Sequence, residues 1–131
     1  MTDTSEYTAY LKIRDTGLQS NGDYRLEVDL ETIHLSRAGL VHGGMVFTLL
    51  DAAMGRAIRA QIPPEYNNPT IELKINYFRP AASGRLTCHG RVVNRSKQLC
   101  YAEGEVTNEE GKLIARATGT FFCKVRHEVP Q

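Results

Sequence analysis

One stretch, "HLSRAGLVHGGMVFTLLDAAMGRAI" (residues 34–58), concentrates the residues of this chain that could do chemistry. Asp51 is a carboxylate in the middle of a strongly apolar run. At helical spacing it joins Thr48, Gly55 and Arg59 in a narrow polar stripe. A buried carboxylate costs several kcal/mol unless it is paired or hydrogen-bonded. Two readings follow: an ion pair with Arg59 or Arg56, or an acid kept for a reaction. Gly43 and Gly44 open the same run directly after His42. The first turn of a helix has free N–H groups and the positive end of the dipole. Without a Cβ at Gly43 or Gly44, a ligand oxygen can approach those N–H groups closely, which is the geometry of an oxyanion site. The plainer reading is a tight loop-to-helix turn.

Other chemistries fit less well. Ser36, His42 and Asp51 suggest a Ser–His–Asp triad, but Ser36 is not in a Gly-x-Ser-x-Gly elbow. His34, His42, His89 and His127 have no metal-binding spacing, so no metal site is expected. Cys88, Cys100 and Cys123 form no C-x-x-C pair and lie in apolar stretches, as reduced core residues do. "GLVHGG" lacks the Lys-Ser/Thr of a phosphate loop. No cofactor is implied. A formal net charge of +1, with charges scattered, gives no bulk electrostatic case for nucleic acid or membrane partners. No apolar run reaches a membrane span and no secretory signal opens the chain, so a cytoplasmic protein is expected.

The elements that must position these residues can be read from periodicity. With 131 residues the chain fits one domain, 1–131, large enough for a core without staples. Residues 1–20 read as a short helix or loose arm, and "NGD" (21–23) as a turn. "YRLEVDLETI" alternates, with Tyr24, Leu26, Val28 and Leu30 on one face. Residues 43–61 read as one helix, apolar around most of its circumference and stopped by "PPEYNNP". Strands follow at 70–78, 85–94, 98–107 and 112–125, joined by short turns that imply antiparallel neighbours. In the first of them Ile71, Leu73, Ile75 and Tyr77 share a face. The last two carry small residues on one face, among them Ala102, Gly104, Ala117 and Gly119. Such a face lets the long helix lie close. The fold class is therefore α+β, one antiparallel sheet wrapped around a long central helix. Its open edges favour an oligomer.

The stretch also resembles a known family, the hotdog-fold acyl-CoA thioesterases, in particular the phenylacetyl-CoA thioesterase-like branch. That branch shows His-x-Asn-x-x-Gly-x-x-His-Gly-Gly and then an Asp eight residues after the first Gly of the pair. His34, Gly39, His42, Gly43, Gly44 and Asp51 match in place. "TIELKINYFRPAASGRL" and "GEVTNEEGKLIARATGTFF" resemble its later strands. The resemblance implies the hotdog fold and hydrolysis of an acyl-CoA thioester. It implies Asp51 as nucleophile or general base, the Gly43 N–H polarising the carbonyl, and His42 orienting the loop. Thr70 falls where relatives place a Ser or Thr that assists the water or carboxylate. Ser36 stands where the family has Asn, which bears on rate and substrate preference.

Helix geometry adds a condition. Gly43 and Asp51 are eight residues apart on one helix, about 12 Å along its axis. A thioester carbonyl must come within about 3–3.5 Å of its reacting partners. The site is expected to combine Gly43 of one chain with Asp51 of another, in a homodimer of antiparallel helices. A dimer of dimers stays open. Coenzyme A carries phosphates, for which Arg79, Arg95, Lys97 and Arg37 are candidates, with Gly44 beside the substrate. Two other functions remain on the same fold: a non-hydrolytic acyl-CoA or acyl-carrier binding module, and a dehydratase using a catalytic His with a helical acid.

Overall fold

The computed structural model describes residues 5–125. His127 and the first four residues lie outside the described residues. The chain order is α1 (Glu6–Tyr10), β1 (Arg14–Leu18), β2 (Tyr24–Asp29), α2 (Gly43–Arg59), β3 (Tyr66–Asn67), β4 (Thr70–Tyr77), β5 (Arg85–Arg95), β6 (Leu99–Thr107), β7 (Leu113–Phe122) and β8 (Lys124–Val125), with a 3-10 turn at Thr32–His34. Six strands form one antiparallel sheet in the order β1-β2-β5-β6-β7-β4. β3 and β8 pair separately.

The N-terminal segment is more ordered than a loose arm. α1 is short, and the chain then adds β1 as one edge of the sheet. His34 pins this segment. It is buried, its Nδ1 accepts from the Glu31 N–H at 2.9 Å, and its Nε2 sits 2.7 Å from the Leu11 carbonyl. With Nδ1 accepting, Nε2 carries the proton and donates to Leu11.

α2 buries one wide stripe: Met45, Val46, Leu49, Leu50, Ala53, Met54, Ala57 and Ile58. The sequence suggested burial around most of the circumference. Instead the opposite face, with Gly43, Phe47 and Asp51, stays open, and Phe47 is 41% exposed. The helix ends at Arg59, two residues before the expected limit. There Arg59 reaches forward and donates to the Tyr66 carbonyl at 2.6 Å.

The small-residue face of the sheet receives the helix as expected, and β5 adds a residue to it. A Cβ on Gly90 would stand 2.5 Å from the Ala53 carbonyl carbon, so helix backbone lies directly on that strand. Gly90 pairs with Gly104 across the ladder, and a Cβ on Gly119 would meet Met54 at 2.9 Å.

Two strands depart from simple alternation. The register of β4 on β7 slips by one between Thr70 and Glu72, which makes Ile71 the extra residue of a bulge. Ile71 is 47% exposed and does not share the inward face of Leu73, Ile75 and Tyr77. The run 112–125 breaks after Phe122, and its tail leaves the main sheet to pair with β3.

Candidate active site

His42 is the N-cap of α2. Its backbone is extended (φ −66°, ψ 136°), and its Nδ1 accepts from the Gly44 N–H at 2.9 Å. A Cβ on Gly44 would stand 3.1 Å from that nitrogen, so glycine here makes room for the capping ring. Such a cap is worth about 1 kcal/mol. It also means that the Gly44 N–H is already occupied. Among the described residues nothing accepts from the Gly43 N–H. That donor sits at the positive end of the helix dipole, on an exposed residue.

Among the described residues nothing demands glycine at 43. A Cβ there would be in ordinary contact with Tyr77, 3.5 Å from its hydroxyl oxygen. Its backbone is not in the left-handed region either. The open space over Gly43 is therefore not needed for packing. Tyr77, from the far end of β4, donates its hydroxyl to the Gly43 carbonyl at 2.8 Å.

Asp51 lies two turns on and is half-buried. Thr70, the first residue of β4, donates its hydroxyl to Asp51 Oδ1 at 2.7 Å. Among the described residues no cation pairs with Asp51. Arg56 pairs instead with Asp15 at 3.5 Å, and Arg59 holds carbonyls beyond the helix end. The ion-pair reading of the polar stripe is thereby set aside. Two residues from outside the helix, Asn68 and Tyr7, join the stripe, and the sequence did not place them there. Asn68 donates to the Gly55 carbonyl at 2.8 Å, one turn past Asp51. The Thr48 hydroxyl donates to the Gly44 carbonyl at 2.9 Å and lies 3.0 Å from the Tyr7 hydroxyl.

The bulge at Ile71 explains how one strand serves both ends of this face. Side chains alternate along a strand, so residues seven apart point to opposite sides. The extra residue reverses the parity. Thr70 then faces α2 together with Tyr77 and grips Asp51 while Tyr77 grips Gly43.

The remaining candidates are scattered. Ser36 opens a tight loop in which its N–H donates to Leu40 and Gly39 takes φ +80°. Its hydroxyl has no partner among the described residues. Arg37, on the same loop, is exposed. Arg79 lines a groove of about 360 Å³ together with Gly43, Val46, Tyr77, Phe78 and Ile114. Arg95 is at the other end of the helix, where it donates to the Gln61 carbonyl at 2.9 Å, and exposed Lys97 lies in the adjacent turn. Of these four cations, Arg79 is the one that shares a groove with Gly43.

Residues 38–115, more than half of the chain, match the model of the thioesterase superfamily. The chain belongs to the thioesterase superfamily. Mouse acyl-coenzyme A thioesterase 13 is 31% identical over 100 residues, which cover 72% of this thioesterase and 68% of the mouse protein. Two Saccharolobus solfataricus relatives match over 69% and 55% of their own lengths, at 29% and 34% identity. Among solved structures, the phenylacetic acid degradation protein PaaI of Thermus thermophilus superposes with a TM-score of 0.80 at 28% identity, covering 90% of this chain and 98% of that one. A Bacillus halodurans protein crystallised with CoA gives a TM-score of 0.86 at 28% identity, over 94% and 81% of the two chains. The sheet around one long helix is the hotdog fold of these enzymes, and membership makes this protein a thioester hydrolase. No described helix is long and apolar enough to cross a membrane.

Proposed function

We propose that this thioesterase hydrolyses an acyl-CoA thioester to the free acid and CoA, in sites that two chains build together. The observation that carries the proposal is one open helix face bearing two incomplete half-sites. Among the described residues, one end carries an N–H with no acceptor and the other a carboxylate held by a single hydroxyl. Their separation of about 12 Å exceeds what one carbonyl can bridge. A second copy, its helix antiparallel across a two-fold axis, brings each Gly43 opposite the other chain's Asp51.

The surroundings favour that pairing. Phe47 lies midway between the two half-sites and is 41% exposed, and Tyr77, 53% exposed, lies on β4. β4 is itself an edge strand, with one side unpaired among the described residues. Exposed apolar surface beside an open edge is what a protein surface covers with a partner.

In the mechanism, the thioester oxygen accepts from Gly43 N–H, which stabilises negative charge as the carbonyl carbon becomes tetrahedral. In the chain that supplies the acid, Thr70 holds Oδ1 of its own Asp51, leaving Oδ2 to act. It either removes a proton from a water that attacks the carbon, or attacks the carbon itself. The C–S bond then breaks and the CoA thiolate takes up a proton. After direct attack the acyl group is left on Asp51 as an anhydride, which water hydrolyses to the free acid and the restored carboxylate. His42 orients the oxyanion turn through its cap on Gly44. Arg79, in the groove that leads from Gly43, is the cation best placed for a CoA phosphate. Ser36, on the loop that precedes the cap, tunes rate or acyl preference.

The test is a panel of acyl-CoAs with free thiol as readout, run on the wild type and on Asp51→Asn. Thiol release that falls by about two orders of magnitude or more in a folded Asp51→Asn supports the proposal. Binding of acyl-CoA with no thiol release from any substrate would establish the binding module instead. Formation of an enoyl product would establish the dehydratase.

A further inference from the structure

The Gly43–Gly44 peptide unit is held at both ends by side chains. Its carbonyl accepts from the Tyr77 hydroxyl at 2.8 Å, and its N–H donates to His42 Nδ1 at 2.9 Å. The next peptide toward the N-terminus carries the free Gly43 N–H. Its own carbonyl, from His42, accepts from Met45 at 2.9 Å and Val46 at 3.3 Å. Two consecutive glycines are the residues with the most backbone freedom to lose, and helix ends fray. The donor that must point at a reacting oxygen thus begins on the most flexible peptide pair of the helix. An oxyanion donor acts only if its direction is fixed before the reaction.

We propose that Tyr77 is a positioning residue of this thioesterase: with the His42 cap, its hydroxyl clamps the Gly43–Gly44 peptide and thereby fixes the direction of the Gly43 N–H. The proposal rests on the oxyanion reading of Gly43. Tyr77 touches the peptide, not the substrate, and three observations support the role. A phenol on the Gly43 carbonyl is unusual, because a helical carbonyl at this place already has its partner one turn on. The phenol tip lies beside Gly43, where a Cβ would stand 3.5–3.9 Å from the hydroxyl oxygen and the two ring carbons next to it. A phenol is protonated across the physiological range, and partial desolvation of Tyr77 raises its pKa further, so the group is a donor there.

Tyr77→Phe keeps the ring and removes only the hydroxyl. Removal of an oxyanion donor outright costs about 10²–10³ in kcat. Loosening one should cost less, about ten- to thirty-fold in kcat, with KM within about two-fold. In parallel, amide exchange at Gly44, whose N–H is held by His42, should quicken when read by NMR, while the unfolding midpoint stays put. A Tyr77→Phe protein with wild-type kcat would overturn the clamp, and so would a lowered kcat with unchanged exchange at Gly44. If the wild type hydrolyses no thioester, the functional reading fails by itself, and quickened Gly44 exchange in Tyr77→Phe would still establish the clamp.

Discussion

Gly43 is a residue whose type the protomer does not explain. A methyl there would touch Tyr77 at an ordinary distance and distort nothing. If the space belongs to the substrate, Gly43→Ala should fold with a wild-type unfolding midpoint and still lose about ten-fold or more in kcat/KM. Comparable activity in the alanine variant would mean that the glycine serves only the turn. Gly44 differs, because the His42 ring needs its missing Cβ. The sequence marked the pair as a candidate oxyanion turn but could not tell the two apart. That distinction depends on which N–H the His42 ring takes, and spacing alone does not contain it. Asp51 and Thr70 were both legible in the sequence, the first as an acid in an apolar run and the second through family resemblance. Their 2.7 Å contact joins a helix to a strand nineteen residues on, which no local pattern reveals. Tyr77 was legible only as an inward residue, since its hydroxyl's target is a backbone oxygen on another element.

At the scale of elements, α2 and the small-residue sheet face were readable because both follow from periodicity and side-chain size. The bulge was not. A one-residue slip leaves "TIELKINY" looking like perfect alternation, and Ile71 then joins the wrong face. Deleting Ile71 removes the extra residue and leaves Thr70 and Tyr77 six apart, on one face of a regular pleat, so Thr70 should still meet Asp51. The deletion is expected to stay within about three-fold of wild-type activity, whereas Thr70→Val should lose at least about ten-fold. A Thr70→Val protein with wild-type turnover would show that the Thr70 contact is dispensable. The helix seat offers a separate stability test. At Gly90 an added methyl meets helix backbone at 2.5 Å, and backbone cannot swing aside as a side chain can. Gly90→Ala should cost about 3 kcal/mol or more, read as a drop in urea midpoint. A midpoint near wild type would mean that α2 rides higher on the sheet.

For the whole molecule, the sequence carried a geometric condition rather than a picture: two groups of one reaction too far apart on one helix. The structure leaves the same helix face open beside an unpaired strand edge. The central claim is that each reaction uses Gly43 of one chain and Asp51 of another. Complementation between two dead variants tests it directly. Asp51→Ala removes the acid, and Gly43→Pro removes the N–H. Proline is accepted at the first position of a helix, and His42 already has the extended backbone (ψ 136°) that a residue before proline requires. Each variant alone has two broken sites per dimer. A mixed dimer concentrates both lesions in one site and leaves the other intact, pairing Gly43 of the Asp51→Ala chain with Asp51 of the Gly43→Pro chain. Equal amounts, unfolded together and refolded, should recover up to about a quarter of wild-type thioester hydrolysis if pairing is random and sites are independent. A mixture that contains mixed dimers and remains as inactive as its parents would contradict the shared site.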